Sequence, residues 1–455
     1  MTHALHPASA PDPTSYTPFF RYRPSGSRHC GNQRLFCEGV ALDALAQSVG
    51  TPTYVYSRAS IEAAYRNLDR ALGNLPHSLC YAVKANSNLA ILRLLARLGS
   101  GFDIVSGGEL ERLGRIGVSG ERIVFSGVGK TGDEIRAALS YNPSRSGAAR
   151  RRGILLFNIE SEAEMEALLG EAARHVARGG ARPGVAIRVN PDVLAGGHPH
   201  ISTGHRHHKF GVDWREARKL YLAHKSSRWI AWRGISAHIG SQILTVPPFR
   251  RAVERLASYV RELAAQGIAL DLLDIGGGLG IRYTEKQSLD VTAYARTLAE
   301  IVRPLGCRLL VEPGRTIAGP SGVLLTRVLY TKQSRGKTFV IVDAGMNDLI
   351  RPALYGATHP ITTAVRGDGT RGAKRVVDVV GPVCETGDFL ARDWPLGAAS
   401  AGDLLVIWAA GAYGFAQSSN YNSRPRAAEV LVASKRFRTI RRRENFDDLV
   451  RLETA

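Results

Sequence analysis

Four short stretches carry side chains that do chemistry when brought together. Lys84 closes the apolar run Tyr81-Ala82-Val83-Lys84, and Gly276, Gly277 and Gly278 interrupt Asp274-Ile275-Gly276-Gly277-Gly278-Leu279-Gly280. Glu312 stands in Val311-Glu312-Pro313-Gly314-Arg315, and His238 in Ser236-Ala237-His238-Ile239-Gly240-Ser241-Gln242. A lysine ending an apolar run sits where solvent is scarce and its ammonium form is disfavoured, so its amine can attack a carbonyl. Lysines at strand ends also snorkel or pair with a carboxylate. A triple glycine lets another group approach the backbone, and its amides suit a phosphate. A plain turn is the alternative, whereas a dinucleotide fingerprint fits less well because GGGLG lacks the GxGxxG spacing.

A lone buried carboxylate such as Glu312 needs a cationic partner, which a protonated pyridine nitrogen supplies. His238 offers a flat ring for stacking, although a strand histidine is often structural. Amine, phosphate-binding turn, carboxylate and flat ring form a set suited to pyridoxal phosphate.

Such residues must be carried to one place by regular elements. Short apolar runs at Leu79 to Val83, Phe102 to Val105, Ile123 to Ser126, Ile154 to Asn158, Val185 to Asn190, Gly234 to Ile239, Leu272 to Ile275 and Arg308 to Glu312 alternate with amphipathic stretches. Eight strands over roughly 250 residues predict an α/β fold, a closed (β/α)8 barrel of the TIM type, over 51–320. Active sites of such barrels lie at the carboxyl ends of the strands. There the runs deliver Lys84, Asp103, Asn158, Arg188, Asn190, His238, the glycines 276–278, Glu312 and Arg315.

After Gly322 the pattern changes to strands with turns between them, at Val323 to Tyr330, Thr338 to Asp343, Arg375 to Val383, Asp403 to Ala409 and Ala427 to Val432, predicting a separate C-terminal β-domain over 321–455. Residues 31–50 are expected to pack with that domain, and 1–30, rich in Pro and Ser, to form a flexible extension.

The 455 residues, 44% apolar, suffice for two domains with full cores. No apolar run reaches the roughly 20 residues of a membrane span, and the N-terminus lacks the apolar core of an export signal. Five cysteines, Cys30, Cys37, Cys80, Cys307 and Cys384, are odd in number and without CxxC spacing, which points to a reducing cytoplasm and away from a metal site. The net charge of +20 raises nucleic-acid binding as a function. The arginines are spread along the chain, however, and no aromatic residues interleave the cluster at Arg145 to Arg152, which favours a solvated surface. A positive field also attracts an acidic small molecule.

The motifs YAVKANSN, FDIVSGGEL, HIGSQ, DIGGGLG and EPGR, in this order, resemble those of the fold-type III pyridoxal-phosphate decarboxylases, from about Leu35 to about Val432. The β-domain segments DAGMNDLIRPALYGA, GPVCETGDFLARD and GAYGFAQSSNYNSRPRAAEVLV resemble the members that act on diaminopimelate. The resemblance implies the alanine racemase-like pairing of barrel and β-domain, with pyridoxal 5'-phosphate held by Lys84, Asp103, His238, Gly240, Ser241, Gly276, Gly277, Gly278, Glu312, Gly314, Arg315 and Tyr413. It implies an amino acid substrate held by Arg315, Arg351, Tyr355, Glu385 and Tyr413. The catalytic set implied is Lys84, His238 and Cys384, the last returning a proton to the α-carbon. Read by itself, without its flanking motif, Cys384 is better taken as a buried structural cysteine.

The resemblance further implies a homodimer in which Cys384 and Glu385 serve the partner's site. The expected reaction is decarboxylation of meso-2,6-diaminopimelate to L-lysine. The alternatives are a decarboxylase of the same fold acting on ornithine, arginine, carboxynorspermidine or a carrier-bound amino acid, and a non-catalytic pyridoxal-phosphate-binding protein. The sequence departs from the family pattern at His208, in the Arg-rich insertion after Asn142, and in about thirty N-terminal residues.

Overall fold

The computed structural model describes residues 12–24, 32–143, 153–193, 209–284, 288–367 and 374–454. His208, the Arg-rich stretch 144–152 and the N-terminal residues 1–11 and 25–30 lie outside the described residues. The chain forms two compact units, one of residues 65–280 and 289–314, the other of 1–64, 281–288 and 315–455.

In the first unit eight parallel strands close into a barrel: His77–Ala82, Gly101–Ile104, Ile123–Phe125, Leu156–Ile159, Gly184–Arg188, Ala231–Ser236, Leu272–Asp274 and Arg308–Val311. Each overlaps one of the apolar runs read from the sequence. Cys80, Val124, Leu156, Ala186, Leu272 and Leu310 pack into one buried cluster. Successive strand residues alternate between faces, so the positions two further along share the face of that cluster. Those positions are Ala82, Ser126, Asn158, Arg188, Asp274 and Glu312. An apolar layer therefore gives way to a polar one toward the carboxyl ends. The helices between strands start on side-chain caps that satisfy their first amides, such as Thr131 with Glu134 before Gly132–Leu139 and Ser161 before Glu162–Ala177.

The second unit is built on a nine-stranded sheet. Its 13-residue strand Gly322–Ser334 pairs with Thr53–Ser57, Lys337–Val342 and Leu404–Ile407. Thr53–Ser57 pairs in parallel with Ala428–Ala433 on its other side. The sequence reading had put this segment inside the barrel range 51–320, and the pairing moves it into the sheet. All five of its residues are buried. A strand covered on both faces reads alike in a barrel and in the middle of a sheet, which is why local pattern misplaced it.

Gln33–Cys37 pairs with Phe20–Pro24 and with Val365–Arg366. Leu35, Cys37, Leu42 and Leu45 share a core with Val323, Leu325, Val406, Trp408 and Val430. Phe20–Pro24 corrects the expectation of a flexible extension through residue 30: Phe20 is fully buried, its ring edge-on to Trp408 with centroids 5.6 Å apart. Five residues ending in a proline are too few for a readable period. Among the described residues no helix is long and apolar enough to cross a membrane.

Candidate functional site

The first barrel strand ends in a single 3-10 turn, Val83–Ala85, that carries Lys84. Its Nζ lies 2.5 Å from Oδ2 of Asp103, which is fully buried on the neighbouring strand. The lysine side chain keeps 38% of its surface exposed, so the amine remains reachable while its charge is balanced from below. The other carboxylate oxygen of Asp103 is buried with no hydrogen-bond partner among the described residues.

After the sixth strand, Nδ1 of His238 accepts the amide hydrogen of Gly277 at 3.1 Å. An amide can only donate, so the ring proton belongs on Nε2 when the imidazole is neutral. Burial, followed by the charges of Arg188 and Lys84, holds His238 well below the usual histidine range and keeps it neutral. The turn needs its glycines. A Cβ on Gly276 would stand 2.7 Å from His238 Nδ1, and one on Gly278 would stand 2.3 Å from the Gly240 carbonyl oxygen. Gly276 and Gly278 also have φ of +65° and +97°. The amide of Ile243 donates to Gly278 O and that of Gly280 to Ile243 O, each at 2.9 Å, lacing the Gly240-Ser241 turn to the glycine turn.

Between these turns lies a group of buried carboxylates. Asn158 Nδ2 donates to Asp274 Oδ2 at 2.8 Å and to Ser126 Oγ at 3.1 Å, while Ser126 Oγ reaches Glu312 Oε1 at 3.4 Å. Asp274 Oδ1 accepts from the Gly276 amide at 3.0 Å. Burial raises Glu312 well above the carboxylate range, and the charges of Asp103 and Asp274 add to it, against Lys84. Burial also raises Asp274, which shares a hydrogen bond with Glu312. Glu312 therefore keeps its proton until a cation arrives.

These residues fit pyridoxal phosphate. The glycine turn is a backbone cradle that side chains would fill, Lys84 supplies a reachable amine, and Glu312 is a buried acid that a ring-nitrogen cation would allow to ionise. Deeper support comes from Arg188, whose Nη1 donates to Glu160 at 2.9 Å, while Glu160 also accepts the amides of Gly127 and Gly211.

The second unit holds its own cluster. Arg315 and Arg351 are both buried, and Nη1 of each donates to the Tyr283 hydroxyl, at 2.7 and 2.9 Å. The Arg315 guanidinium lies over the Tyr413 ring, 4.9 Å from its centroid. Arg351 Nη1 also meets His359 Nε2 at 2.8 Å. Burial lowers the Arg351 pKa, and the Arg315 charge pulls the same way. Two guanidiniums drawn to one phenol oxygen form a ready site for a carboxylate. Tyr355, at the other end of the short helix Arg351–Tyr355, is half-buried and receives a 3.4 Å hydrogen bond from Gln417.

Cys384 and Glu385 are exposed on a loop of the same unit. The Cys384 amide donates to Asn422 Oδ1 at 2.7 Å, and Glu385 accepts from Tyr421 at 3.4 Å. The structure thus gathers Lys84, Asp103, His238, Gly240, Gly276 to Gly278 and Glu312 in the barrel, and Arg315, Arg351 and Tyr413 in the β-unit. Tyr283, His359, Ser126, Asp274 and Glu160 went unassigned in the sequence reading. For Ser126 and Asp274 the signal was available as the period-two step from Val124 and Leu272. Tyr283 and His359 lie in irregular segments, where spacing says nothing.

Residues 58–319 match the family model described as pyridoxal-dependent decarboxylase, pyridoxal binding domain. The diaminopimelate decarboxylase of Pseudomonas aeruginosa is 49% identical over 415 residues, 91% of this chain and 95% of its own. That of Vibrio cholerae is 44% identical over 96% of this chain and 99% of its own. A crystal structure of diaminopimelate decarboxylase from Helicobacter pylori complexed with L-lysine superposes with a TM-score of 0.83 at 40% identity, covering 90% of this chain and 99% of that one. With one model spanning most of the barrel and relatives this similar along nearly their whole length, the chain belongs to the pyridoxal-dependent decarboxylases, among the diaminopimelate decarboxylases.

Proposed function

We propose that this chain, with pyridoxal phosphate, decarboxylates meso-2,6-diaminopimelate to L-lysine and carbon dioxide, the last step of lysine biosynthesis. The observation that carries the choice of substrate is the convergence of Arg315 and Arg351 on Tyr283. Diaminopimelate bears a carboxylate at each end. A site with buried guanidiniums favours the substrate whose second carboxylate pairs with them and disfavours ornithine, which leaves them unpaired.

When bound, pyridoxal phosphate supplies the electron sink that accepts the pair left as the carboxylate departs. Lys84, anchored by Asp103, provides the amine that holds it. Gly240, Ser241, Gly276, Gly277, Gly278 and Gly314 would hold its phosphate on backbone and hydroxyl donors, and Arg315 and Tyr413 would serve as further cofactor contacts. Glu312 would accept the hydrogen bond of the protonated ring nitrogen, and His238, held neutral by burial, would face the ring without adding charge. Arg315, Arg351, Tyr355, Tyr413 and Glu385 take the substrate's far end, where a carboxylate and an ammonium call for both signs. Cys384 returns the proton to the α-carbon.

Cys384 and Glu385 stand exposed on one chain, which supports a homodimer in which each serves the partner's site. Free thiols at Cys37, Cys80, Cys307 and Cys384 support a reducing, cytoplasmic setting.

Purified protein with pyridoxal phosphate, incubated separately with meso-diaminopimelate, ornithine, arginine and lysine, tests the reading by product analysis. Lysine formed from diaminopimelate alone is the expected result. Turnover of another of these amino acids in its place overturns the substrate assignment, and retention of cofactor without any turnover overturns the activity.

A further inference from the structure

His359 has no place in the reaction just described, yet it is fully buried and both of its ring nitrogens are engaged. Its Nδ1 lies 2.8 Å from the Trp408 carbonyl oxygen, an atom that can only accept, so the ring proton is on Nδ1. Nε2 is then left as an acceptor, and Arg351 Nη1 meets it at 2.8 Å. The same Nη1 donates to the Tyr283 hydroxyl at 2.9 Å, and the Tyr283 ring stands edge-on to the imidazole at 5.1 Å. Both N–H bonds of that nitrogen are therefore used by protein acceptors. The Nε and Nη2 donors of Arg351 make no hydrogen bond among the described residues. A guanidinium gripped at one corner with its two-donor edge open is arranged for bidentate binding of a carboxylate.

We infer that His359 and Tyr283 are positioning residues that orient Arg351 so that its Nε–Nη2 edge receives the substrate carboxylate remote from the reacting carbon. This rests on the substrate reading above. Burial and the adjacent Arg351 charge hold His359 at a pKa of about 3, so it stays an acceptor at any working pH. A leucine here would fill similar space and leave the Nη1 donor without its acceptor.

L-lysine, which retains the far carboxylate, and 1,5-diaminopentane, which lacks it, separate the two levels of the argument. Their dissociation constants are measured by calorimetry on the holoenzyme for the wild type, His359→Leu and His359→Gln. The wild type is expected to bind lysine at least tenfold more tightly. In His359→Leu lysine binding weakens about tenfold or more while 1,5-diaminopentane stays within twofold, and KM for diaminopimelate rises more than kcat falls. His359→Gln, which keeps a donor for Trp408 and an acceptor for Arg351, restores most of the loss. Equal binding of both ligands by the wild type defeats the substrate reading and the inference with it. A wild type that discriminates, with a His359→Leu that weakens both ligands alike or neither, overturns the inference alone, as does a His359→Gln that behaves like leucine. If His359→Leu does not fold, Tyr283→Phe, which removes only the shared phenol oxygen, is read by the same ratio: a selective loss of lysine supports the inference and an unselective one overturns it.

Discussion

Nζ of Lys84 and Oδ2 of Asp103 are 2.5 Å apart, the lysine partly open to solvent and the aspartate fully enclosed. The burial cost falls on one partner while the other supplies the reactive amine. Removing the lysine then does two separable things. Lys84→Ala is expected to abolish the covalently held cofactor chromophore and to destabilise the barrel by about 1–3 kcal/mol, since a buried carboxylate loses its cation. Adding Asp103→Asn to Lys84→Ala should recover most of that stability and none of the chromophore. Urea denaturation and visible absorbance of the four proteins of this cycle check both, and a double variant no more stable than Lys84→Ala would show that Lys84 does not offset the burial of Asp103.

Gly277 admits no side chain, because its Cβ would lie 2.3 Å from the backbone oxygen of Glu312. Gly277→Ala must push the glycine turn away from the strand end that carries Glu312, and with it the amide that fixes the His238 tautomer. We expect a loss of about 1–3 kcal/mol in stability from the overpacking and at least tenfold weaker cofactor retention on dialysis. Wild-type retention in this variant would remove the glycine turn from the phosphate site.

Asp348 offers a pH test in the β-unit. Burial pushes its carboxyl from 3.8 up to about 7, against the lowering effect of the Gly345 amide and Arg424. One oxygen accepts from Gly345 N at 3.0 Å and the other has no partner among the described residues. Above pH 3.8 the unfolded chain releases this proton while the folded chain keeps it, so this group's contribution to stability is full below pH 3.8 and falls as pH rises to about 7. Asp348→Asn removes the titration. Its stability relative to wild type should rise between pH 4 and pH 8, reaching a gain of about 1–3 kcal/mol. Urea midpoints at the two pH values measure this, and a difference that does not change with pH would contradict an elevated Asp348.

A shared site makes a complementation experiment decisive. Lys84→Ala and Cys384→Ala should each be inactive alone, and a mixture allowed to exchange subunits should regain up to about a quarter of wild-type activity, because random pairing makes half the dimers mixed and each mixed dimer has one intact site. Confirmed exchange without recovery would place Cys384 in its own chain's site.

Arg351→Ala should lose at least tenfold in kcat/KM for diaminopimelate while retaining the cofactor as the wild type does. Steady-state kinetics beside cofactor absorbance separate the two, and a parallel loss of both would move Arg351 from substrate to cofactor.

Much of this protein is determined locally. The eight barrel strands could be read from their apolar runs, and the polar mouth from a two-residue step beyond them, because backbone pleating turns sequence spacing directly into side-chain direction. The same stretches carried Lys84, His238, the glycines and Glu312, since their types and their places at strand ends are properties of the chain itself. Tertiary structure decided what spacing cannot encode. Thr53–Ser57 joins a sheet with partners from residues 322–334 and 428–433, and no local pattern distinguishes that from a barrel strand. The tautomer of His238 depends on the Gly277 amide, 39 residues away. The raised pKa of Glu312 depends first on its burial and then on the charges of Asp103 and Asp274. Tyr283 and His359, each outside the regular elements, meet Arg351 from 68 and 8 residues away. Periodicity reports the face a residue occupies, whereas charge state and hydrogen-bond role follow from what burial places opposite it.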